Sequence, residues 1–437
     1  MANYFDHIPN IHFEPNCSPD VLNYKFYDPS RRVMGKTLEE HLKVSVCYWH
    51  NFCWDGSDPF GHATRKMPWR DEDPQKEAIN KANAVFEFIQ KLGIKYFTFH
   101  DTDIIPPSYS VDSYVSNFHN LVDYLEKKMN NSDIKLLWGT ANLFSDKRYL
   151  AGAATNPDPE IFAYAAMQTK HALEATHRLK GDNYVIWGGR EGYDTLLNTD
   201  LKHEKDMLAR FLSLVVEHKC KIGYKGQLLI EPKPCEPTKH QYDYDTESVY
   251  GFLCKYGLQN EFKVNIEANH ATLANHSFEH EVYGACTLGV MGSIDANRGD
   301  PHNGWDTDHF PNSIEEMTLV MYRILQYGGL SSGGFNFDCK VRRQSINLDD
   351  MFYGHVSGID VLSKALLNAE KIINKGLIRT SVKKRYSGWE KGSGNNIISD
   401  YTLEKLSDYV TDNKINPKPV SGEQEKLERI IINTMYE

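Results

Sequence analysis

Short apolar runs alternate eight times with longer amphipathic segments, and this alternation constrains the fold more than any other feature of the chain. The runs lie at 43–49, 95–101, 134–140, 183–189, 227–233, 263–269, 289–295 and 333–338. Their length predicts buried strands, and segments such as 74–93, with a 3.6-residue apolar period and a closing glycine, predict helices. Because each crossover between parallel strands covers the sheet with a helix, the pattern predicts an α/β fold, a closed (β/α)8 or TIM barrel.

An open, doubly wound sheet is the alternative to this barrel. Such sheets bind dinucleotides at a GxGxxG turn after the first strand, and the segment after 43–49 contains no such turn. The closed barrel is therefore the preferred prediction.

Both ends of the chain fall outside the alternation. We expect residues 1–40 to form an N-terminal extension, 41–378 the barrel, and 379–437 a C-terminal arm that is helical or extended. The arm is polar and rich in lysine, but its segment "LERIIINTMY" carries apolar residues that a disordered tail would lack. This composition predicts that the arm packs on a partner subunit of an oligomer.

Charge and composition exclude several classes of function. The formal net charge of −10 argues against a protein that binds nucleic acid through its phosphates. No apolar run reaches the roughly 18 residues of a membrane span, and the start "MANYFDHIPN" lacks the layout of a secretion signal. The eight cysteines show no CxxC pair and indicate reduced thiols. We therefore expect no nucleic acid, no membrane and a cytoplasmic location.

Polar and aromatic side chains recur where the predicted strands end. TIM barrels carry their active sites at the C-terminal ends of the strands, so these side chains are expected to meet in one mouth. In chain order they are Trp49, His100 with Asp103, Trp138 with Thr140, Trp187, Glu231 with Lys233, Glu267 with His270, Asp295, and Asp338. A single carboxylate after a strand is usually a helix N-cap, but four successive acidic ends are not explained by four independent caps.

The charge of this mouth predicts bound cations. Six carboxylates would meet there, and Lys233 is the only obvious cation; they are Glu231, Glu267, Asp295, Asp306, Asp308 and Asp338. Without compensation, their repulsion would raise pKa values and cost many kcal/mol. Two divalent ions with Lys233 supply five positive charges, and oxygen-rich ligation with one imidazole favours Mg²⁺ or Mn²⁺ over zinc. The sequence therefore predicts two hard divalent ions.

A possible proton-transfer pair lies in the segment "FTFHDTD". His100 ends the second predicted strand and Asp103 follows three residues later. A carboxylate bonded to one imidazole nitrogen fixes the tautomer and leaves the other nitrogen to act as an acid or base.

These motifs resemble the xylose isomerase family, in its longer class with an extended N-terminal segment. The resemblance covers most of the chain, in order, and the stretches that carry it include "YWHNFCWDGSDPFG", "FHDTDI", "WGGREGY", "IEPKPCEPTKHQYDYDTE", "NIEANHATL", "GSIDANRGD", "GWDTDHFP" and "NFDCKVRRQS". It implies an aldose–ketose isomerase that converts D-xylose to D-xylulose and, more weakly, D-glucose to D-fructose. It also implies a homotetramer that uses Mg²⁺, Mn²⁺ or Co²⁺.

The resemblance also assigns roles to individual residues. The structural metal is expected to be held by Glu231, Glu267, Asp295 and Asp338, and the catalytic metal by Glu267, His270, Asp306 and Asp308. His100, oriented by Asp103, is expected to open the sugar ring, and Lys233 to donate to the C1 oxygen. Trp49 and Trp187 would wall the pocket, Thr140 would lie nearby, and Phe60 would enter from a neighbouring subunit. With these carboxylates committed to metals, a hydride shift is expected rather than an enediol.

The sequence leaves two other functional interpretations open. The first is another metal-dependent barrel, such as a different sugar isomerase, an epimerase or a phosphodiesterase. The second is a non-catalytic sugar-binding protein that stacks its ligand on Trp49 and Trp187. The second reading leaves the six carboxylates of the mouth unexplained.

Overall fold

The eight predicted strands form one closed parallel barrel in the computed structural model, which describes residues 3–391, 393–399 and 401–437. The strands are β1 (Ser45–Cys47), β2 (Tyr96–His100), β3 (Lys135–Thr140), β4 (Asn183–Trp187), β5 (Gln227–Glu231), β6 (Phe262–Glu267), β7 (Met291–Asp295) and β8 (Phe335–Phe337). Each strand pairs with the next, and β8 closes the barrel on β1. The predicted TIM barrel is confirmed.

Helices surround this barrel and continue beyond it. They are α1 (Leu38–Leu42), α2 (Pro74–Leu92), α3 (Asp101–Ile104), α4 (Val111–Asn130), α5 (Pro159–Arg178), α6 (Leu201–Ile222), α7 (Thr246–Tyr256), α8 (Ala268–Leu273), α9 (Phe278–Leu288), α10 (Ile314–Gln326), α11 (Leu348–Lys375), α12 (Leu377–Tyr386), α13 (Ser393–Ser399), α14 (Leu403–Asp412) and α15 (Gln424–Met435). Among the described residues, no helix combines the length and apolarity that a membrane span requires.

Local sequence fixes the ends of the crossover helices. The Asp73 carboxylate accepts hydrogen bonds from the first backbone N–H groups of α2, and Gly93 ends that helix in the left-handed region, with φ of 66°. The same arrangement recurs at α6, between Asp200 and Gly223. These caps let each helix stop where the next strand must begin.

The N-terminal extension packs on the outside of the barrel. Its side chains Phe5 and Tyr24 are buried. The Asp360 carboxylate on α11 accepts hydrogen bonds from the backbone N–H groups of Lys25, Phe26 and Tyr27 at 2.8 to 3.0 Å. Hydrogen bonds to a charged acceptor are among the stronger ones in proteins, so this carboxylate fixes the extension to the barrel.

The C-terminal arm is helical, as α12 to α15 show. Its last helix packs on α11, and an ion pair joins Lys375 to Glu437. Other parts of the arm expose large apolar side chains, with Leu403 83% and Val420 91% exposed. Such surface has no partner within the described part of the chain, which is the pattern expected of an interface between subunits. The boundaries at residues 40 and 378 stay a prediction.

Candidate active site

A cavity of about 240 Å³ opens at the C-terminal ends of the barrel strands. Every predicted site residue except Asp103, Asp295 and Phe60 lines it. Its walls are Trp49, His50, His100, Trp138, Thr140, Phe144, Val185, Trp187, Glu231, Lys233, Glu267, His270, Asp306, Asp308 and Asp338. The location agrees with the rule that TIM barrels carry their sites on this face.

One group of carboxylates occupies the ends of four neighbouring strands. Glu231, Glu267, Asp295 and Asp338 each place an oxygen within 4.8 Å of the others, and all four are buried. The register explains this meeting, since Glu267 at the end of β6 pairs with Asp295 at the end of β7. Asp295 lies beneath the floor of the cavity, so it reaches this group but not the open space.

Neighbouring amides and an indole orient these oxygens. The side-chain amide of Asn265 donates to Glu231 at 3.0 Å, and that of Asn336 donates to Asp295 at 2.9 Å. The indole N–H of Trp49 donates to Asp338 at 2.7 Å. Trp49 therefore holds a carboxylate as well as walling the cavity, and such outer contacts commonly orient metal ligands.

A second group shares Glu267 with the first. Glu267, Asp306 and Asp308 offer oxygens within 4.8 Å of one another, and His270 Nε2 lies 3.1 Å from both Glu267 and Asp306. The other ring nitrogen of His270, Nδ1, lies 3.0 Å from the carbonyl of Pro232, which can only accept a hydrogen bond. Nδ1 therefore carries a proton, and Nε2 is the nitrogen that faces the carboxylates, where a metal ion held between them would accept its lone pair.

Burial and mutual repulsion change the titration of these acids. Burial, followed by the neighbouring carboxylates, raises the pKa of Glu231, Glu267 and Asp295 well above the ordinary range. Asp306 behaves in the opposite way: although burial opposes it, the Lys233 ammonium lowers the pKa of Asp306 well below its usual value. So many buried acids require cations or protons between them, and divalent ions supply that charge at neutral pH.

Lys233 is not the only lysine that offsets the negative charge of the six carboxylates. Its Nζ lies 2.7 Å from Asp306, as a cation of the mouth should, but Lys340 Nζ also lies 2.6 Å from Asp308. The prediction of a single obvious cation was wrong, because Lys340 follows Asp338 by two positions and folds back towards the loop that carries Asp308. Two divalent ions and these two lysines would balance six carboxylates.

His50 was also missed. A π-helix, Trp49–Cys53, begins two residues after β1 and turns His50 inward, with Nε2 2.9 Å from Asp338 and 3.2 Å from Asp308. Although burial lowers the pKa of His50, Asp308 and Asp338 raise it to about 9. The sequence did offer one signal for His50, because this residue directly follows Trp49, the end of the first predicted strand.

His100 and Asp103 form the expected pair. The Asp103 carboxylate accepts from the backbone N–H of His100 at 2.8 Å and lies 3.0 Å from its ring Nδ1. Asp103 therefore stands behind the imidazole and fixes its orientation, while Nε2 is the nitrogen left for the cavity. The Trp49 ring lies 4.5 Å from the imidazole, centroid to centroid.

Aromatic side chains wall the remaining space. The Lys233 ammonium lies 5.2 Å from the centre of the Trp187 ring, and the Phe144 ring, which sequence reasoning missed, packs on Trp187 at 4.4 Å. The Thr140 hydroxyl donates to the carbonyl of Val185 at 2.5 Å. Its proton is committed to the backbone, so Thr140 can meet a ligand only as an acceptor.

Phe60 lies outside the cavity of its own chain. Its side chain is 84% exposed, and its ring stands 6.1 Å from that of Trp305. An exposed aromatic pair beside a polar mouth is a typical interface feature. Within one chain Phe60 takes no part in the site, and its predicted entry into a neighbouring subunit stays a prediction.

Full-length relatives match this chain closely. It is 57% identical over 436 residues to the xylose isomerases of Burkholderia vietnamiensis (strain G4 / LMG 22486) and Burkholderia orbicola (strain MC0-3), covering 99% of each chain. It is 56% identical to the xylose isomerase of Paraburkholderia xenovorans (strain LB400), also over 99% of both chains. The family model described as the XylA2 C-terminal domain matches residues 382–435, within the arm.

Solved structures of low identity share the barrel. An L-ribulose 3-epimerase superposes with a TM-score of 0.51 at 12% identity, covering 71% of this chain and 95% of its own. A D-psicose 3-epimerase superposes with a TM-score of 0.50 at 13% identity, covering 74% and 99%. These similarities show the fold alone.

Proposed function

The chain belongs to the xylose isomerase family, and on that basis we propose that it interconverts D-xylose and D-xylulose, and D-glucose and D-fructose more weakly. One observation supports the proposal most strongly: Glu267 is shared by two groups of buried metal-binding side chains at the barrel mouth. Conversion of D-xylose that EDTA abolishes and that Mg²⁺, Mn²⁺ or Co²⁺ restores is the expected result. Sugar binding without turnover under all three ions would contradict it.

The two groups fit two divalent ions per subunit. Glu231, Glu267, Asp295 and Asp338 would hold the structural ion, and Glu267, His270, Asp306 and Asp308 the catalytic one. Oxygen ligands with a single imidazole suit Mg²⁺, Mn²⁺ or Co²⁺. When bound, such ions supply Lewis acidity to oxygens O1 and O2 of the sugar.

The side chains of the cavity divide the remaining work. His100, held by Asp103 at 3.0 Å, would move a proton during ring opening. Lys233 would donate a hydrogen bond to O1, and such a fixed charge contributes most in a dry site. Trp49 and Trp187 exclude water from the reacting carbons. The carboxylates that line the cavity belong to the two metal groups, so the proposed route is a hydride shift from C2 to C1.

Replacing His100 by asparagine should slow ring opening and leave the later hydrogen transfer largely intact. We expect kcat for D-xylose to fall by about 10²-fold, the usual contribution of general acid–base catalysis. The diagnostic measurement is the primary isotope effect with D-xylose deuterated at C2, which should shrink towards unity as ring opening becomes rate-limiting. An isotope effect that grows in His100→Asn would show that His100 acts in the transfer itself.

We propose that the protein is a homotetramer in which Phe60 completes the pocket of a neighbour. The exposed apolar surface of the arm and the 84% exposed ring of Phe60 support this. Phe60→Ala should raise KM for D-xylose by about 10-fold through lost apolar contact and access of water. Tyr109→Ala, which alters another exposed aromatic side chain (96%), should leave KM unchanged. An active monomer in light scattering would contradict the tetramer and the role of Phe60.

A cytoplasmic location belongs to the same proposal. All eight cysteines are free thiols, including the buried Cys47, Cys286 and Cys339. Free thiols in this number suit a compartment that keeps cysteine reduced.

A further inference from the structure

One group of metal-binding side chains lies away from the barrel mouth. Among the described residues, five sets of histidine, cysteine or acidic side chains come close enough to hold an ion, and four of them are built from residues of the mouth. The fifth is His276, His280 and Glu281. It shares no residue with the other four and has no part in the proposed reaction.

The start of α9 brings these three side chains together. Ser277 caps the helix, so His276 directly precedes it while His280 and Glu281 fall in its first turns. One ligand atom of each lies within 4.8 Å of the other two. His276 Nδ1 is 2.5 Å from Glu281 Oε1, and the two imidazole rings stand 4.7 Å apart, centroid to centroid.

Glu281 is a buried carboxylate held in a fixed orientation, and it supports a metal site most strongly among the three residues. Its side chain is 5% exposed, and its Oε2 accepts from the backbone N–H of Thr246 at 3.0 Å. This bond fixes the carboxylate and turns Oε1 towards His276. An outer hydrogen bond that orients a ligand oxygen is a regular part of protein metal sites. The buried carboxylate is therefore already positioned for a cation.

We propose that His276, His280 and Glu281 bind a third divalent ion of the zinc type. Two imidazoles and one carboxylate are a zinc ligand set with one position open to water. The same set suits Mg²⁺ poorly, because Mg²⁺ prefers oxygen ligands in an octahedron. Tetrahedral zinc places its ligand atoms about 3.3 Å apart. The His276 ring must therefore move back from the 2.5 Å that now separates it from Glu281, and the exposed His280 must turn towards them. The ion takes the place of the proton in the His276–Glu281 hydrogen bond, and that proton leaves to solvent.

Zinc binding to the full-length protein under excess Mg²⁺ tests this site. Mg²⁺ keeps the mouth occupied, and equilibrium dialysis with increasing Zn²⁺ followed by elemental analysis gives the zinc content per chain. The wild type should bind one zinc more than His280→Ala, whose affinity for that ion should fall at least about 10-fold. His12→Ala, which removes a histidine 68% exposed at its side chain, should bind as the wild type does.

Two further measurements separate this site from the mouth. Glu267→Gln should lose ions at the mouth yet keep the zinc held by His276, His280 and Glu281. With Cu²⁺ as the probe, electron paramagnetic resonance should show two nitrogen ligands in the wild type and one in His280→Ala. Equal zinc content in the wild type and His280→Ala, or the same number of nitrogen ligands on copper in both proteins, would overturn the proposal.

Discussion

Replacing Glu267 by glutamine should abolish isomerisation. We expect kcat to fall by about 10⁴-fold or more, which corresponds to an activation free energy higher by about 5.5 kcal/mol. Glu267 is 2% exposed and belongs to both carboxylate groups. Glutamine keeps the shape but removes a charge and an oxygen ligand from both sites at once. The Asn297 side-chain amide donates to Glu267 at 2.7 Å. In the variant, the single carbonyl oxygen of the glutamine would have to accept this hydrogen bond, and its NH2 group would face the metal site.

Activity and metal content should fall together in this variant. Elemental analysis after dialysis should give fewer than two ions per chain for Glu267→Gln and two for the wild type. Glu217→Gln is the matched control, because Glu217 is 61% exposed at its side chain and pairs with Arg210 at the surface. A Glu267→Gln enzyme with two ions per chain and more than a tenth of wild-type activity would contradict the two-metal proposal.

Lys233→Ala should lower kcat by about 10³-fold through direct damage to the hydrogen-transfer step, in line with the loss of one fixed electrostatic contact. Lys233 is 4% exposed and forms ion pairs with Asp306 at 2.7 Å and with Glu236 at 3.3 Å. Although burial lowers the pKa of Lys233, Asp306, Glu267 and Glu236 raise it well above its ordinary value. The ammonium stays protonated throughout the working range, so it can donate to a substrate oxygen but cannot act as a base.

Lys340→Ala separates this role from simple charge compensation. Lys340 also binds a carboxylate of the mouth, Asp308, at 2.6 Å, but it does not line the cavity. Its loss should weaken metal affinity and leave the isotope effect from C2-deuterated D-xylose unchanged. Lys233→Ala should increase that isotope effect. A similar fall in kcat for both lysine variants, with no change in the isotope effect, would show that Lys233 supplies charge alone.

The strand ends made most of the site predictable. A parallel barrel brings the ends of all strands to one face, so Glu231, Glu267, Asp295 and Asp338 could be placed together from the alternation of elements. How deeply each carboxylate is buried could not be predicted from this alternation. Asp295 pairs with Asn336 of β8 beneath the cavity, which depends on the register of β7 and β8.

The residues that were missed reach the mouth from irregular backbone. His50 enters because the chain after β1 forms a π-helix, a rare conformation that no apolar period predicts. Lys340 approaches Asp308 because the backbone N–H of Lys340 donates to the Asp308 carbonyl at 2.9 Å, which pairs two segments distant in sequence. The predicted role of Phe60 depends on how subunits assemble, and the fold of one chain does not determine that assembly.

A hydride shift requires that no carboxylate acts as the base of an enediol. One acid beside the two metal groups is Glu236, which forms an ion pair with Lys233 at 3.3 Å and accepts a hydrogen bond from the backbone N–H of Asp306 at 3.1 Å. It does not line the cavity. Its ion pair holds Lys233 and its hydrogen bond holds the Asp306 loop, so Glu236 positions other groups instead of reaching the reacting carbons.

The central claim is that hydrogen passes within the sugar from C2 to C1, in a cavity that Trp49, Phe144 and Trp187 keep dry. The most direct measurement is the conversion of D-xylose deuterated at C2 in ordinary water, with the position of the label in the product read by NMR. The proposed route predicts that D-xylulose carries the deuterium at C1. Loss of the deuterium to water would contradict the shift and require an enediol with a base in the cavity.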